Sequence, residues 1–408
     1  MVSRHLSRFC ARTALAAAGL AGAALFILGV KAQMLRFWLF TRHGLGFADP
    51  SCTTGYCDYG MFWLAGFLVR HGQAGALYEP ARYAALAAQT LPYKTGWWPF
   101  VYPPTMLLPA WGISALPFVA GYYAVSGLLL LAAVRLLRAA CISWPCIGAG
   151  LVSFPAMWNL YLGQFGLLCG ALLVYGLAAV QTRPHRAGAA LGLLAIKPQY
   201  ALLVPVAVLA ARRWRAMFAG GVTLAVLLAL SWILAGTEGW LAYLGPGRAA
   251  MTALLEQKFA PGYQVMGTSV FWMLRSLHAG IGPAYAGQAL VSAACAAASW
   301  RLWRRGGPAP LIPTVMLALL ASPYGFIDDL AIYAVLLPAL ARRGAPWHNA
   351  ALAWLWLAPD FIPACVAHLG FLPTPLLLTG ALVLAWRNTR SPAAEIPAPA
   401  PRFAMQPQ

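Results

Sequence analysis

Apolar residues in this chain fall in long runs separated by short basic gaps. Residues 14–30, 119–134, 167–180, 222–235 and 350–358 contain neither acid nor base. A helix needs about 20 apolar residues to cross the hydrocarbon core of a bilayer, so the pattern predicts membrane-embedded helices. The gaps carry arginine: Arg4, Arg8 and Arg12, then Arg135 and Arg138, Arg183 and Arg186, and Arg212, Arg213 and Arg215. Further along stand Arg301, Arg304 and Arg305, then Arg342 and Arg343, then Arg387 and Arg390. Clusters of this kind mark cytoplasmic ends.

Placing every cluster inside gives a path. A first helix over residues 13–35 exits, and residues 36–101 stay outside. Residues 102–138 return, broken at Leu116-Pro117 because proline clashes with the preceding turn. Residues 142–160 exit and 165–181 return. Residues 187–211 lie between two arginine clusters and are too short for two crossings. Two short helices broken at Lys197-Pro198 fit this stretch, dipping in from the cytoplasmic side. Non-helical backbone at membrane depth must be buried in protein or line a cavity, so this break is a candidate site wall. Residues 216–235 exit, 236–282 form a second outer loop, and 284–300 return. Residues 311–321 exit to an outer turn at 323–329, and 330–340 return. Two last helices, 347–367 and 372–386, finish inside. The expectation is an all-α polytopic membrane protein with about 10–12 transmembrane or re-entrant helices. A single transmembrane domain spans residues 1–390, and the Pro- and Ala-rich tail 391–408 is expected to be disordered in the cytoplasm.

Composition agrees. Apolar residues make up 61% of the chain and charged residues 9%, against roughly a quarter charged in soluble domains. The net charge of +19 would suit nucleic acid, but its confinement to gaps between apolar runs argues for topology instead. The basic start and the apolar core before Val30-Lys31-Ala32 resemble a signal peptide. Continuation of the apolar stretch through residues 34–40 favours an uncleaved helix. Of eight cysteines, most sit in apolar runs as small hydrophobes. Cys52 and Cys57 share a polar outer loop, as a disulfide or as two free thiols. No Cys/His spacing matches a zinc site.

The first outer segment holds two short amphipathic stretches, 58–70 and 80–89, suited to the membrane interface. They either cap the bundle or hold a catalytic group beside the membrane. Of the nine acids, all except Glu395 fall on or near the outer face. A general base must be a carboxylate or histidine within reach of the substrate proton, so the candidates lie on one side. Asp58 opens the first amphipathic stretch, as an N-cap or as a base. Asp328-Asp329 occupies the outer turn and could bind a metal or a cationic group, or remain a pair of solvated caps. Lys197 stands inside an apolar stretch, where a cation costs roughly 2.5–3.5 kcal/mol. A phosphate partner would offset that, or the chain could snorkel to the cytoplasmic interface. Asn159 and Gln164 form a polar island that binds sugar hydroxyls or joins helices.

Several segments in order resemble one family: Asp58-Tyr59, Gly72, Leu77-Tyr78, Val101-Tyr102-Pro103-Pro104, Asn159 to Gln164, Ala195-Ile196-Lys197-Pro198-Gln199, and Ala321-Ser322-Pro323-Tyr324 followed by Asp328-Asp329. The set resembles glycosyltransferase family 87 over about residues 58–340. These are bacterial GT-C membrane enzymes that include polyprenyl-phosphate-mannose-dependent α-1,2-mannosyltransferases. The resemblance implies a GT-C type fold in the bacterial inner membrane, with its active site facing the periplasm. It implies a polyprenyl-phosphate sugar donor, an acceptor lipid or glycan, and a catalytic aspartate in the first outer loop, here Asp58, with Asp49 second. Candidate substrate-binding residues are Tyr59, Tyr102, Asn159, Gln164, Lys197, Gln199, Tyr324, Asp328 and Asp329. Relatives carry a more variable His- or Tyr-containing turn where Asp328-Asp329 stands, which leaves sugar contacts from these two acids open. A phosphate leaving group needs no proton from the enzyme, so one base and one phosphate-binding cation suffice, and neither cofactor nor metal is expected. The rival reading is a transporter or flippase, which also uses broken helices and intramembrane lysines, but two related halves are not visible.

The topology is testable by cysteine labelling with a membrane-impermeant reagent in intact spheroplasts. Probes placed in residues 36–101 and in 323–329 should both react; reaction of only one would break the path.

Overall fold

The structure is a computed structural model that describes residues 58–91, 100–260, 263–307 and 309–389. The expected first helix, Asp49, the Cys52/Cys57 pair and the C-terminal tail lie outside the described residues. Among the described residues the fold is all α, with no strand and one isolated bridge between Gly267 and Phe326.

The described residues form eighteen α-helices, in order. The first five are α1 (Asp58–Arg70), α2 (Pro80–Thr90), α3 (Leu107–Ile113), α4 (Phe118–Ala139) and α5 (Trp144–Leu151). Next come α6 (Phe154–Leu162), α7 (Gly166–Ala179), α8 (Pro184–Gly192), α9 (Val204–Ala210) and α10 (Trp214–Ala242). The second half holds α11 (Arg248–Glu256), α12 (Val270–Ser276), α13 (Ile281–Arg304) and α14 (Leu311–Ala321). It ends with α15 (Ala331–Leu336), α16 (Pro346–Leu357), α17 (Ile362–Leu369) and α18 (Thr374–Thr389).

Only three helical stretches described here are long and apolar enough to span a membrane singly: Phe118–Ala139, Trp214–Glu256 and Pro346–Leu369. The pair α6 and α7 is apolar enough for a fourth only when taken together, and it is bent by 120°, as a broken span or a re-entrant loop. The 14 residues of α7 rise about 21 Å, short of the roughly 30 Å core. The other apolar runs are shorter helices such as Leu311–Ala321. The bundle therefore has fewer uninterrupted spans than its apolar runs suggest, because Pro, Gly and 3₁₀ turns divide them.

Two helices show the logic of burial. Helix α7 is buried along nearly its whole length, as a helix apolar on every side should be, and packs against α4 and α8. Helix α10 sits at the rim. Phe218, Trp232 and Ile233 are exposed, and they supply a lipid-facing surface. The second outer loop is largely helical, since α10 runs to Ala242 and a π turn at Tyr243–Gly247 leads into α11. Its break lies at Gly236, with φ 64° and ψ 177°, a backbone region open essentially to glycine.

Helix α1 has the bounds that its apolar spacing predicts. It lies against α3 with Tyr59, Phe62, Leu64, Ala65, Leu68 and Val69 buried. It is thus packed into the bundle rather than laid flat on lipid. Arg70 fixes its far end by donating to the Trp111 carbonyl at 2.8 Å and to Ser114 Oγ at 3.0 Å.

Helix α8 packs against α10 through small residues, Gly188 and Gly192 facing Ala216, Ala219 and Gly220. This is the spacing that lets membrane helices approach closely. A Cβ on Gly188 would run into the Ala216 carbonyl oxygen and come within 2.9 Å of the Gly220 nitrogen. Gly188→Leu should therefore destabilise the protein by roughly 1–3 kcal/mol, read as a lower melting temperature in detergent. An unchanged melting temperature would show that α8 and α10 do not meet there.

Candidate functional site

The site is built where helices break. Between α6 and α7 the chain turns at Gly163 with φ 68° and ψ 33°, the left-handed conformation that glycine adopts without a Cβ clash. That turn aims Gln164 at the start of α1. One Gln164 Nε2 proton goes to the Asp58 carboxylate, and the other to Tyr102 Oη at 2.7 Å. Both donors of the amide are used, so it holds an acid from the first outer segment beside a phenol from the segment preceding α3.

The second break is the hairpin tip. Short 3₁₀ turns at Leu193–Ile196 and Pro198–Ala201 flank Lys197. Thr105 Oγ1 donates to the Ala195 carbonyl at 2.6 Å and ties the tip to the turn before α3. Lys197 is buried and donates to Asp329 Oδ1 at 2.7 Å and to Asp328 Oδ2 at 3.3 Å. Asp329 is held further by Tyr200 Oη, which donates to its Oδ1 at 3.0 Å, and by the Phe326 N–H, which reaches its Oδ2 at 3.2 Å. The turn before α15 is clamped in its own right, since the Thr268 N–H donates to the Gly325 carbonyl at 3.0 Å.

These parts surround one cavity of about 370 Å³. Its polar wall carries Asp58, Tyr102, Gln164, Lys197, Gln199, Tyr324 and Asp328. The remaining wall is mostly apolar, with Met61, Val101, Leu162, Leu202, Met251 and Met266 among its residues. A few convergent polar groups in an otherwise apolar pocket are the usual form of a small-molecule site. Asp58 lies outside the spanning helices, and burial pushes its carboxyl up to about 8. The Gln164 hydrogen bond pulls it down, Asp328 and Asp329 push it up, and Lys197 pulls it down. A carboxylate raised toward neutral pH is a stronger proton acceptor than a solvated one.

A family model, Glycosyltransferase family 87, matches residues 100–323, more than half of the chain. The chain belongs to glycosyltransferase family 87. No curated protein and no solved structure matches it. Family membership makes the protein a membrane glycosyltransferase and decides against the transporter reading. The match is narrower than the resemblance drawn from the motifs, and Asp58, Asp328 and Asp329 lie beyond its ends.

The structure gathers most of the residues singled out in the sequence. Asp58, Tyr102, Gln164, Lys197, Gln199, Tyr324 and Asp328 all line the cavity. Three others do not. Tyr59 is buried with its ring edge-on to Phe118 and Tyr122. Asn159 is buried behind the wall, where its amide nitrogen faces the Gln164 carbonyl at 3.1 Å and its oxygen the Gly166 N–H at 3.0 Å. Asp329 backs Lys197. Of the two sequence readings for Lys197, snorkelling to the cytoplasmic interface is overturned, because its charge is met by two buried carboxylates. Solvated caps are likewise overturned for Asp328 and Asp329, both buried. The cationic group they bind is Lys197. Sequence reasoning missed Tyr200, although it directly follows Lys197-Pro198-Gln199. It also missed Trp158, Tyr243 and the apolar lining, which carry no signal that sets them apart from other lipid-embedded residues.

The raised Asp58 carboxyl gives a pH dependence. A base works only when deprotonated, so if the reaction uses Asp58 as its base, kcat/KM for sugar transfer should rise with pH, reach half its maximum near pH 8 and level off above it. Gln164→Leu removes a bond that favours the carboxylate, so the inflection should move to higher pH. A profile already flat from pH 6 upward would contradict this environment for Asp58.

Proposed function

We propose that this glycosyltransferase moves a sugar, mannose in the family's best-known members, from a polyprenyl-phosphate donor to a hydroxyl of an envelope lipid or glycan. The setting is the bacterial inner membrane, with the cavity open toward the periplasm. The single observation that carries the reading is Asp58, fixed by Gln164 in the wall of a cavity that is otherwise largely apolar. The arginine clusters at 183–186, 212–215 and 301–305, at the ends of their helices away from the cavity, support the orientation.

In this reading the acceptor hydroxyl oxygen attacks the anomeric carbon while its proton passes to Asp58. The bond from the anomeric carbon to the phosphate oxygen breaks, and its electron pair leaves with the polyprenyl phosphate. A single displacement of this kind inverts the anomeric centre. Negative charge gathers on the departing phosphate, and a preorganised cation is worth most where charge develops. Lys197 is the buried cation on the cavity wall. Tyr102, Gln199 and Tyr324 offer hydroxyl and amide groups for the sugar. The apolar lining suits the first isoprene units of the donor.

Asp58→Asn keeps the shape of the side chain and removes the base. With a radiolabelled polyprenyl-phosphate sugar, purified Asp58→Asn should lose roughly 10²–10⁴-fold in transfer rate while eluting as a folded protein. Near-normal turnover would place the base elsewhere, first at Asp328.

A further inference from the structure

The two carboxylates on Lys197 are not equivalent. Asp329 is anchored by three donors: Lys197 at 2.7 Å, Tyr200 Oη at 3.0 Å and the Phe326 N–H at 3.2 Å. It stands behind the lysine, outside the cavity lining. Asp328 makes the longer contact with Lys197, 3.3 Å, and is a residue of the cavity wall, its side chain 6% exposed. One face of the ammonium is thus permanently paired, and the other is covered by a carboxylate that the cavity itself can reach.

Charge makes that cover hard to reconcile with an anionic ligand. One lysine and two ionised aspartates sum to a single negative charge, and an ionised Asp58 adds another. A phosphate entering this cavity would be repelled by Asp328, which stands between the cavity and the ammonium. The repulsion vanishes if the phosphate takes the position of Asp328. The ammonium then keeps one fixed carboxylate and gains a phosphate oxygen, a charge-assisted contact of the same kind.

We propose that Asp328 is a stand-in for the donor phosphate. It covers the cavity-facing side of the Lys197 ammonium, and donor binding displaces it while Asp329 stays in place. The inference rests on the polyprenyl-phosphate reading above and assigns separate tasks to two adjacent acids. Asp329 is a positioning residue for Lys197. Asp328 competes with the donor and so sets how tightly donor is held and how readily the lipid phosphate product leaves.

Equilibrium binding of a polyprenyl monophosphate, the released product, to the purified full chain in nanodiscs tests this without requiring turnover. Asp328→Asn removes the competing charge and should bind the lipid phosphate about tenfold more tightly, the scale of one partly screened like-charge contact. Asp328→Ser should do the same and serves if the Asn variant does not fold. Asp329→Asn also removes a negative charge, but it frees Lys197 from its fixed anchor, and should not reproduce the tenfold gain. Melting curves on the same samples report folding. Equal or weaker binding by the folded Asp328 variants would reduce the cluster to a structural ion pair and overturn this inference alone. A wild-type protein that does not bind polyprenyl monophosphate would overturn the donor reading with it.

Discussion

An ammonium group inside an apolar bundle must be paired, and much of this architecture follows from how Lys197 is paired. Removing one partner of a buried ion pair costs about 3–5 kcal/mol, because the other charge is left without compensation. The pairing therefore acts as a strong constraint between two segments more than a hundred residues apart in the chain. It fixes the hairpin tip against the turn that precedes α15. From Asp329 the connection continues through Tyr200, whose single hydroxyl proton is shared between Asp329 Oδ1 and the Gly166 carbonyl, each at 3.0 Å. Gly166 lies two residues from Gln164, and Gln164 holds Asp58 and Tyr102. Each polar residue of the cavity wall in this chain of contacts is thus referred back to one ion pair.

The same constraint explains why the candidate chemistry sits in breaks rather than on helix faces. At membrane depth a carbonyl or N–H freed from a helix must find a protein partner. Side chains that satisfy such groups are available at turns, and turns can aim them inward. Thr105 meets the Ala195 carbonyl, Tyr200 meets Gly166, and Asp329 accepts from the Phe326 N–H. Short helices and 3₁₀ turns are the means by which polar groups are carried into an apolar interior and kept bonded there.

Local features were legible in the sequence and distant pairings were not. The bounds of α1 follow from its apolar spacing and its leading acid. The interruption at Lys197-Pro198 follows from proline and a stranded charge, and the break before α4 from Leu116-Pro117. Burial of α1 against α3, in contrast, depends on a partner surface that periodicity cannot supply. The same holds for Lys197. Its charge marks it as exceptional, but nothing in the order of residues says that Asp328 and Asp329 provide the counter-charge. Asn159 and Gln164 looked alike as a polar island. Only the left-handed turn at Gly163 separates them, sending Gln164 to the cavity and leaving Asn159 as a brace behind it. The helical character of the second outer loop was hidden by Gly236, Gly245 and Pro246, which read as loop residues but here form a kink and a π turn.

Family membership makes this protein a glycosyltransferase, and the cavity beside Asp58 is the place the geometry offers for the reaction. A structure of the protein with a non-hydrolysable polyprenyl-phosphate sugar analogue, determined by electron cryomicroscopy, tests that claim most directly. The account predicts density for the anomeric carbon beside Asp58, for the phosphate at Lys197, and for the isoprene chain along Met61, Leu202 and Met251. Density for the analogue elsewhere on the protein, with this cavity unchanged, would contradict it.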